Sequence, residues 1–211
     1  MNSITVDTGL VGGTLAEWTP QLRLDFGKKS KKLSEDEFFD FCQDNADMRI
    51  EMDKNGDIEI MAPTGMETGI KNFNLIIDFG NWARKDGTGQ GFDSSTGFRL
   101  PNGAKRSPDL SWITLEKLNT IPAVKRKKFA PVCPDFVVEL RSESDTLKKL
   151  QSKMEEYIEN GASLGWLIDA GKRLVYVYRP NTKVEILENP TDISGGELLK
   201  GFILNIQEIW K

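Results

Sequence analysis

Two acidic residues and a later lysine are the side chains in this sequence best suited to chemistry. Asp109 lies in the segment Ser107-Pro108-Asp109, and Glu139 follows a short apolar run. Lys153 comes next, with Tyr157 four residues, or about one helical turn, later. Two carboxylates with a lysine nearby are the minimum set for a magnesium-dependent site that cleaves phosphodiesters. The sequence therefore indicates hydrolysis assisted by a divalent cation.

The absence of histidine narrows the possible reactions. None of the 211 residues is a histidine, whereas Ser-His-Asp and Cys-His hydrolases, HExxH metalloproteases and His-ligated metal sites all require one. Catalysis must rest on carboxylates, lysine, tyrosine, serine and metal-bound water. The net charge of −4 argues against indiscriminate nucleic-acid binding through a global positive field, although a local basic rim can serve an acidic metal site.

The composition is typical of one soluble globular domain, with 38% hydrophobic and 28% charged residues. No apolar run approaches the roughly 20 residues that span a bilayer, and the first residues lack a secretory signal. We therefore expect a cytoplasmic protein without a membrane segment. Cys42 and Cys133 lie far apart with no metal-ligand spacing, so we expect two reduced, buried thiols.

The pattern around Glu139 predicts a strand over residues 134–141. Successive side chains alternate between faces, so Glu139 lies opposite the apolar face, which is formed by Phe136, Val138 and Leu140. A buried glutamate needs a positive partner, either a basic side chain or a divalent cation. Asp109 follows a proline that favours extended backbone at Ser107. If the two strands are neighbours, the carboxylates converge and must take up a proton or share a cation.

Oxygen ligands of this kind suit Mg²⁺, or Mn²⁺, which accepts one or two carboxylates with waters and a phosphate. The backbone carbonyl of Leu140 is a further candidate ligand. Lys153 lies at the edge of the apolar stripe of a helix predicted over 145–160, beside Tyr157. There its ammonium would orient or deprotonate a water, or offset phosphoryl charge. The alternative is an ordinary lysine whose stem lies on apolar surface.

The other elements predict an α/β or α+β domain with a mixed sheet. Ser34 and Glu37 form a capping box that opens a helix, and Asn55-Gly56 predicts a hairpin between alternating runs. A long helix is expected from Glu67 to about Lys85. Its predicted buried face carries Ile70, Phe73, Ile77 and Trp82.

Further strands are expected after that helix, which three glycines end at 87, 89 and 91. Because these glycines follow a helix, they do not indicate a phosphate-binding loop. A second hairpin around Asn102-Gly103 is predicted to join 96–100 to 108–113, and a third to join 164–168 to 174–178. Strands at 184–187 and 201–206 are expected to complete the sheet.

The first 32 residues are predicted to form an N-terminal arm with one short strand, and residues 33–211 a single domain. The arm ends in the basic run Lys28 to Lys32, and a second basic loop holds Lys125, Arg126, Lys127 and Lys128. Both are candidate contacts to a phosphate backbone, although solvated basic segments are common.

Ordered motifs between about residues 33 and 178 resemble the Uma-two family of restriction-endonuclease-like proteins, within the PD-(D/E)xK nuclease superfamily. They include Met61-Ala62-Pro63-Thr64-Gly65, Thr96-Gly97-Phe98-Arg99-Leu100, Ser107-Pro108-Asp109, Glu139-Leu140-Arg141-Ser142-Glu143-Ser144 and Trp166-Leu167-Ile168-Asp169. The resemblance implies a restriction-endonuclease-like mixed β-sheet flanked by helices, with N-terminal β-hairpin additions. It also implies a Mg²⁺-dependent endonuclease that hydrolyses DNA as a homodimer.

The resemblance assigns Asp109 to the first acidic motif and Glu139 to the second. Arg141 stands where other branches of the superfamily carry a lysine. In this family the corresponding lysine lies on the next helix, at Lys153. Glu67 lies near a position that is often acidic in related nucleases. The sequence departs from the family at Thr68, Glu143 and Lys149, where histidine, proline and an acidic residue are common. The alternative is a nuclease-fold module with weak or no catalysis that binds nucleic acid or a protein partner.

Overall fold

The computed structural model describes residues 5–7, 22–25 and 33–211. The helices in this part of the chain are α1 (Glu35–Asp44), α2 (Met66–Asp86), α3 (Leu115–Thr120), α4 (Leu147–Glu159) and α5 (Gln207–Trp210). The strands are β1 (Thr5–Asp7), β2 (Leu22–Asp25), β3 (Arg49–Met52), β4 (Ile58–Met61), β5 (Gly89–Asp93), β6 (Phe98–Arg99), β7 (Lys105–Arg106), β8 (Leu110–Thr114), β9 (Phe136–Leu140), β10 (Leu164–Asp169), β11 (Leu174–Tyr178), β12 (Glu185–Glu188), β13 (Asp192–Ser194) and β14 (Ile203–Asn205).

A central six-stranded sheet has the order β12-β11-β10-β9-β8-β5. Strands β9 and β10 are parallel, while the other pairs in this sheet are antiparallel, so the predicted mixed sheet is confirmed. The predicted hairpin of β10 and β11 forms as expected. The alternation along β9 sends Val138 into the core shared with α2 and Val137 into the core shared with α4. The sheet is therefore covered on both faces.

A second sheet, ordered β1-β2-β4-β3-β7-β6, carries the predicted hairpin of β3 and β4. Gly56 supplies the positive φ of 93° in its turn. The capping box forms as predicted, since the Ser34 hydroxyl accepts a hydrogen bond from the Glu37 amide at 3.3 Å. The N-terminal arm contributes two strands rather than the one predicted. Strand β2 pairs with both β1 and the distant β4, a pairing that the local sequence pattern does not show. The basic run at residues 28–32, a predicted contact to a phosphate backbone, lies outside the described residues.

The prediction of the second hairpin is wrong in its second strand, residues 108–113. Strand β6 pairs with β7, with Phe98 opposite Arg106, whereas β8 belongs to the central sheet. The chain changes sheets at Ser107-Pro108, where proline lacks the amide hydrogen that a continuing ladder would need. This change of sheet sets Asp109 immediately before β8, at the junction of the two sheets.

The predicted buried face of α2 is also wrong. Leu75 and Phe79 enter the core, with Trp82 partly buried beside them, while Ile70, Phe73 and Ile77 are exposed. Both sets recur at helical spacing, so periodicity alone does not tell which stripe faces the sheet. The helix ends as expected at Gly87, whose φ is +67°.

Two chain segments adopt pairings that the sequence pattern did not show. Residues 89–93 form β5, and a Cβ atom at Gly89 would lie 2.2 Å from the Trp112 ring, so only glycine fits there. Strand β14 pairs with β13 in a separate sheet instead of completing the central one.

Both cysteines are free thiols as predicted, Cys133 buried and Cys42 half-buried. Among the described helices, none combines the length and apolarity that a membrane crossing demands.

Candidate active site

Asp109 and Glu139 meet where β8 and β9 run side by side. Leu110 lies opposite Val138 in this antiparallel ladder, so extending the register by one pair sets Asp109 opposite Glu139. Directly opposed residues project from the same face of a sheet with Cβ atoms about 5 Å apart. Both side chains are nearly buried, with residue exposures of 7% and 3%. The predicted condition for convergence, that the two strands are neighbours, is met.

Helix α4 delivers Lys153 to Glu139. Its buried stripe of Leu150, Met154 and Tyr157 packs on the central sheet, which turns the adjacent Lys153 toward the carboxylate. The Lys153 ammonium lies 2.8 Å from Glu139 Oε1, and the Tyr157 hydroxyl donates a hydrogen bond to the same oxygen at 3.1 Å. Within the described part of the chain, Glu139 Oε2 accepts no hydrogen bond. Glu139 therefore keeps one carboxylate oxygen for another ligand.

Asp109 is held by two donors. Its Oδ2 accepts a hydrogen bond from the Leu140 amide at 2.8 Å, and its Oδ1 lies 3.0 Å from the Arg49 guanidinium. Arg49 also donates to the carbonyl of Ser107. The buried Nε of Arg49 has no hydrogen-bond partner among the described residues. Arg49 thus provides the positive charge beside Asp109, with one of its donors unused.

Glu51 is a site residue that the sequence analysis missed. Its Oε1 lies 2.9 Å from the Lys153 ammonium and accepts the Ser107 amide at 2.9 Å, while its Oε2 lies 3.2 Å from Arg106. Arg106 in turn pairs with Glu156 at 2.6 Å. Lys153 is therefore clamped between Glu51 and Glu139, which belong to different sheets.

A signal for Arg49 and Glu51 exists in the alternating run of β3. Ile50 and Met52 pack in the small core with Phe38, so the intervening charged side chains must point to the opposite face. Glu51 is only 2% exposed on that face. A charged residue on a strand that is covered on both faces needs a partner of opposite charge, but the sequence does not show which distant residue supplies it.

Burial and neighbouring charges set the protonation states. Burial, reinforced by Asp109 and Glu51, raises the pKa of Glu139 to about 7 in spite of Lys153. Burial also acts on Glu51, but Lys153 and Arg106 outweigh it and lower the pKa to about 2. The pKa of Lys153 is raised because its two carboxylates outweigh burial. Burial raises the pKa of Tyr157 well above its ordinary value, so its hydroxyl remains a donor.

The cluster lines a cleft of about 1570 Å³ between the two sheets and α4. Acidic side chains outnumber basic ones among the lining residues, so an anionic ligand would need added positive charge. Glu67 lies exposed on this cleft at the first turn of α2, beside Thr68. Arg141 also lines the cleft, but its guanidinium is tied to Asp169 at 2.5 Å. The structure thus brings Asp109, Glu139, Lys153 and Tyr157 together and leaves Glu67 and Arg141 at the rim.

The basic loop lies away from this cleft. Lys125, Arg126, Lys127 and Lys128 are exposed, and none of them lines it. Arg126 donates to the Ile121 carbonyl at 2.8 Å, and Lys128 pairs with Asp36 at 2.6 Å. The cationic residues on the cleft are different ones and include Lys54, Lys71 and Lys148.

The donor set fits a small, hard cation. Asp109 and Glu139 supply two carboxylates on one sheet face, and Mg²⁺ in proteins takes one or two carboxylates and keeps several waters. The free Oε2 of Glu139 and the second lone pair of each Asp109 oxygen are available as ligands. No group of three or more carboxylate, cysteine or histidine side chains suited to a metal occurs in the described residues. The candidate metal centre is therefore a two-carboxylate site, with the Leu140 carbonyl a third ligand only by prediction.

Comparison with known proteins assigns the chain to a family. A family model described as "Putative restriction endonuclease", named Uma2, matches residues 35–207. Among curated proteins, none matches the sequence. The fold is similar to the crystal structure of a "putative nuclease belonging to DUF820" from Anabaena variabilis ATCC 29413, with a TM-score of 0.66 and 18% sequence identity. That match covers 84% of this chain and 97% of the other. Because the family model spans most of the sequence, the chain belongs to the Uma2 family.

Proposed function

We propose that the protein is a metal-dependent endonuclease that hydrolyses DNA phosphodiester bonds. One observation carries the proposal: Asp109, Glu139 and Lys153, which come from three elements, converge beside a large cleft. Burying two carboxylates and an ammonium together is costly, and apolar residues in the same place would stabilise the fold at least as well. The cluster is therefore better explained by a function than by stability. Membership of the Uma2 family and the shared nuclease fold support the same conclusion.

The proposed roles follow from the contacts. Asp109 and Glu139 would hold Mg²⁺, or Mn²⁺, which when bound activates a water and offsets phosphate charge. Lys153, charged and clamped by Glu51 and Glu139, would donate to a phosphoryl oxygen or orient the attacking water. Tyr157 holds the Glu139 carboxylate in place through its hydroxyl.

The DNA backbone would run along the cleft. Lys54, Lys71 and Lys148 line it and are the proposed phosphate contacts, because phosphate neutralisation supplies most of the affinity for nucleic acid. The basic loop at 125–128 lies elsewhere and would contact only DNA that extends beyond the cleft. A homodimer, as the family resemblance implies, would bring two such clefts to the two strands of a duplex. The cytoplasmic location stays a prediction.

The proposal is tested by nicking of supercoiled plasmid with Mg²⁺ and with Mn²⁺. Asp109→Asn and Glu139→Gln keep the side-chain size but remove the charge that holds a cation, so we expect each to lose at least about a hundredfold in rate. Glu143→Gln is the matched control, because Glu143 is exposed on the same cleft. Nicking that is unchanged in both site variants, or equally reduced in the control, would refute the assignment.

A second candidate is a nuclease-fold module that binds nucleic acid without cutting it. The guanidinium of Arg49 beside Asp109 favours it, because it already offsets the carboxylate charge that a cation would otherwise compensate. Calorimetric titration separates the two candidates. Binding of Mn²⁺ that is lost in Glu139→Gln supports the nuclease, whereas DNA binding with no detectable metal binding supports the module.

A further inference from the structure

Four large apolar side chains of α2 face away from the core and form one line along the helix. Met66, Ile70, Phe73 and Ile77 are 84%, 53%, 64% and 42% exposed. The contacts of α2 with the core come from a different line, that of Leu75 and Phe79. Isolated exposed apolar residues are ordinary, but a contiguous patch of this kind marks an interaction surface. We call these four residues the α2 stripe.

The α2 stripe has the spacing of a helix–helix seam. Its intervals of four, three and four residues match the d-a-d-a order of a heptad, and the line continues through Gly80 to Arg84. A Cβ atom at Gly80 would meet nothing within 4 Å, so this position is open to a side chain from another helix. The stripe thus offers knobs at its N-terminal end and a hole at its C-terminal end.

We propose that the α2 stripe is the interface of a homodimer in which α2 packs antiparallel against α2 of a second copy. If the two-fold axis crosses the seam at the level of Leu75, Phe73 faces Ile77 of the second copy, and Ile70 lies over Gly80 of the second copy. In the two central layers, Phe73 thus meets a smaller side chain and Ile70 meets a position without a side chain, while Met66 lies at the ends of the seam opposite the stem of Arg84. Such an interface is self-complementary, as a two-fold axis requires.

The charges of α2 favour this orientation. Its first turn carries Glu67, and its last turn carries Arg84 and Lys85 against one carboxylate, Asp86, so this end is net basic. Antiparallel packing sets the acidic end of each copy beside the basic end of the other, whereas parallel packing would align like charges. The helix dipoles also oppose each other in the antiparallel arrangement. A second copy in this orientation therefore suits the surface in both shape and charge.

The area indicates a dimer that dissociates on dilution. A fully accessible side chain of this size presents roughly 150–250 Å², so the exposed fractions leave about 400–500 Å² of apolar surface on each copy. Two copies with their polar flanks bury about 1,000–1,200 Å², the lower end of specific interfaces. We therefore expect a micromolar dissociation constant.

Sedimentation velocity of the full chain tests the interface. We expect the mass to rise from 23.7 kDa toward twice that value between about 1 and 200 µM. Phe73→Glu and Ile77→Glu should be monomers throughout that range. Ile203→Glu is the matched control, because Ile203 is also 64% exposed but lies on β14, and it should dimerise like the wild type. Circular dichroism verifies that each variant is folded.

Charge reversal tests the orientation. Glu67→Lys should weaken the dimer at least about tenfold, and adding Arg84→Glu with Lys85→Glu should restore it, because the reversed ends again attract. A chain that stays monomeric, Phe73→Glu and Ile203→Glu variants that behave alike, or a triple variant that is not restored would each overturn the proposal. Sedimentation requires neither metal nor DNA, so a failure here is distinguishable from failure of the proposed nuclease activity.

Discussion

Replacement of Glu51 by glutamine should destabilise the protein by about 3 kcal/mol at neutral pH. Glu51 is buried and lies within 3.2 Å of Lys153, Arg106 and the Ser107 amide, so the change leaves two buried cations short of a partner. The pKa of Glu51 falls from 4.5 to about 2 on folding. This lowering means that folding favours the charged carboxylate. Removing one partner of a buried ion pair costs about 3–5 kcal/mol, and we expect the lower end because Glu139 still pairs with Lys153 and Glu156 with Arg106.

The pH dependence of this loss follows from the direction of the pKa shift. Because the folded pKa of Glu51 lies below the unfolded one, its contribution is fully present above about pH 4.5 and is lost as the pH falls toward 2. Urea unfolding of wild type and Glu51→Gln from pH 7 to pH 2 measures it. The two free energies of unfolding should differ most above pH 4.5 and approach each other toward pH 2.

An exposed carboxylate in an ordinary ion pair is the control for this experiment. Glu185, on the edge strand β12, pairs with Arg179, and both side chains are exposed, so Glu185→Gln should change the stability by less than about 1 kcal/mol. A Glu51→Gln variant no less stable than Glu185→Gln, or a loss that does not shrink in acid, would refute the assigned charge clamp on Lys153.

Three further outcomes are expected. Gly89→Ala should lower the free energy of unfolding by about 2 kcal/mol or more, since its Cβ would clash with the Trp112 ring. Gly69→Ala, in open space on α2, should raise it by up to about 1 kcal/mol. Thermal unfolding that ranks the two variants otherwise contradicts the packing. Burial raises the pKa of the Cys133 thiol to about 12, so mass spectrometry should find it unmodified by iodoacetamide at pH 8 until urea unfolds the chain. Arg49→Gln removes the cation beside Asp109 and should tighten calorimetric Mn²⁺ binding about tenfold or more, whereas weaker binding would show that Arg49 does not compete with the metal.

Local signals predicted many of the elements. The capping box at Ser34, the Asn55-Gly56 turn and the Gly87 helix end each act within a few residues, and each forms in the structure. The sequence did not show that β8 leaves the β6–β7 hairpin for the central sheet, because that choice depends on pairing with β5 and β9. It also did not show which stripe of α2 is buried, because two apolar stripes compete for one sheet.

The candidate site was predictable where the pattern of a single strand or helix sets the direction of a side chain. The alternation along β9 and the edge of the α4 stripe predicted the directions of Glu139 and Lys153, and the structure brings the two side chains to 2.8 Å. Arg49 and Glu51 come from the other sheet, so their positions depend on how the two sheets meet. The metal, the DNA substrate and the homodimer stay predictions.

The rate of Mg²⁺-dependent plasmid nicking by Lys153→Met, compared with Lys149→Met, tests the assembled site most directly. Both lysines lie on α4 and line the cleft, but Lys149 pairs with Glu59, whereas Lys153 contacts Glu139. With both variants shown to be folded at the assay temperature, Lys153→Met should lose about a hundredfold or more in rate, while Lys149→Met stays within a few fold of the wild type. Equal rates for the two variants would contradict a catalytic role for Lys153.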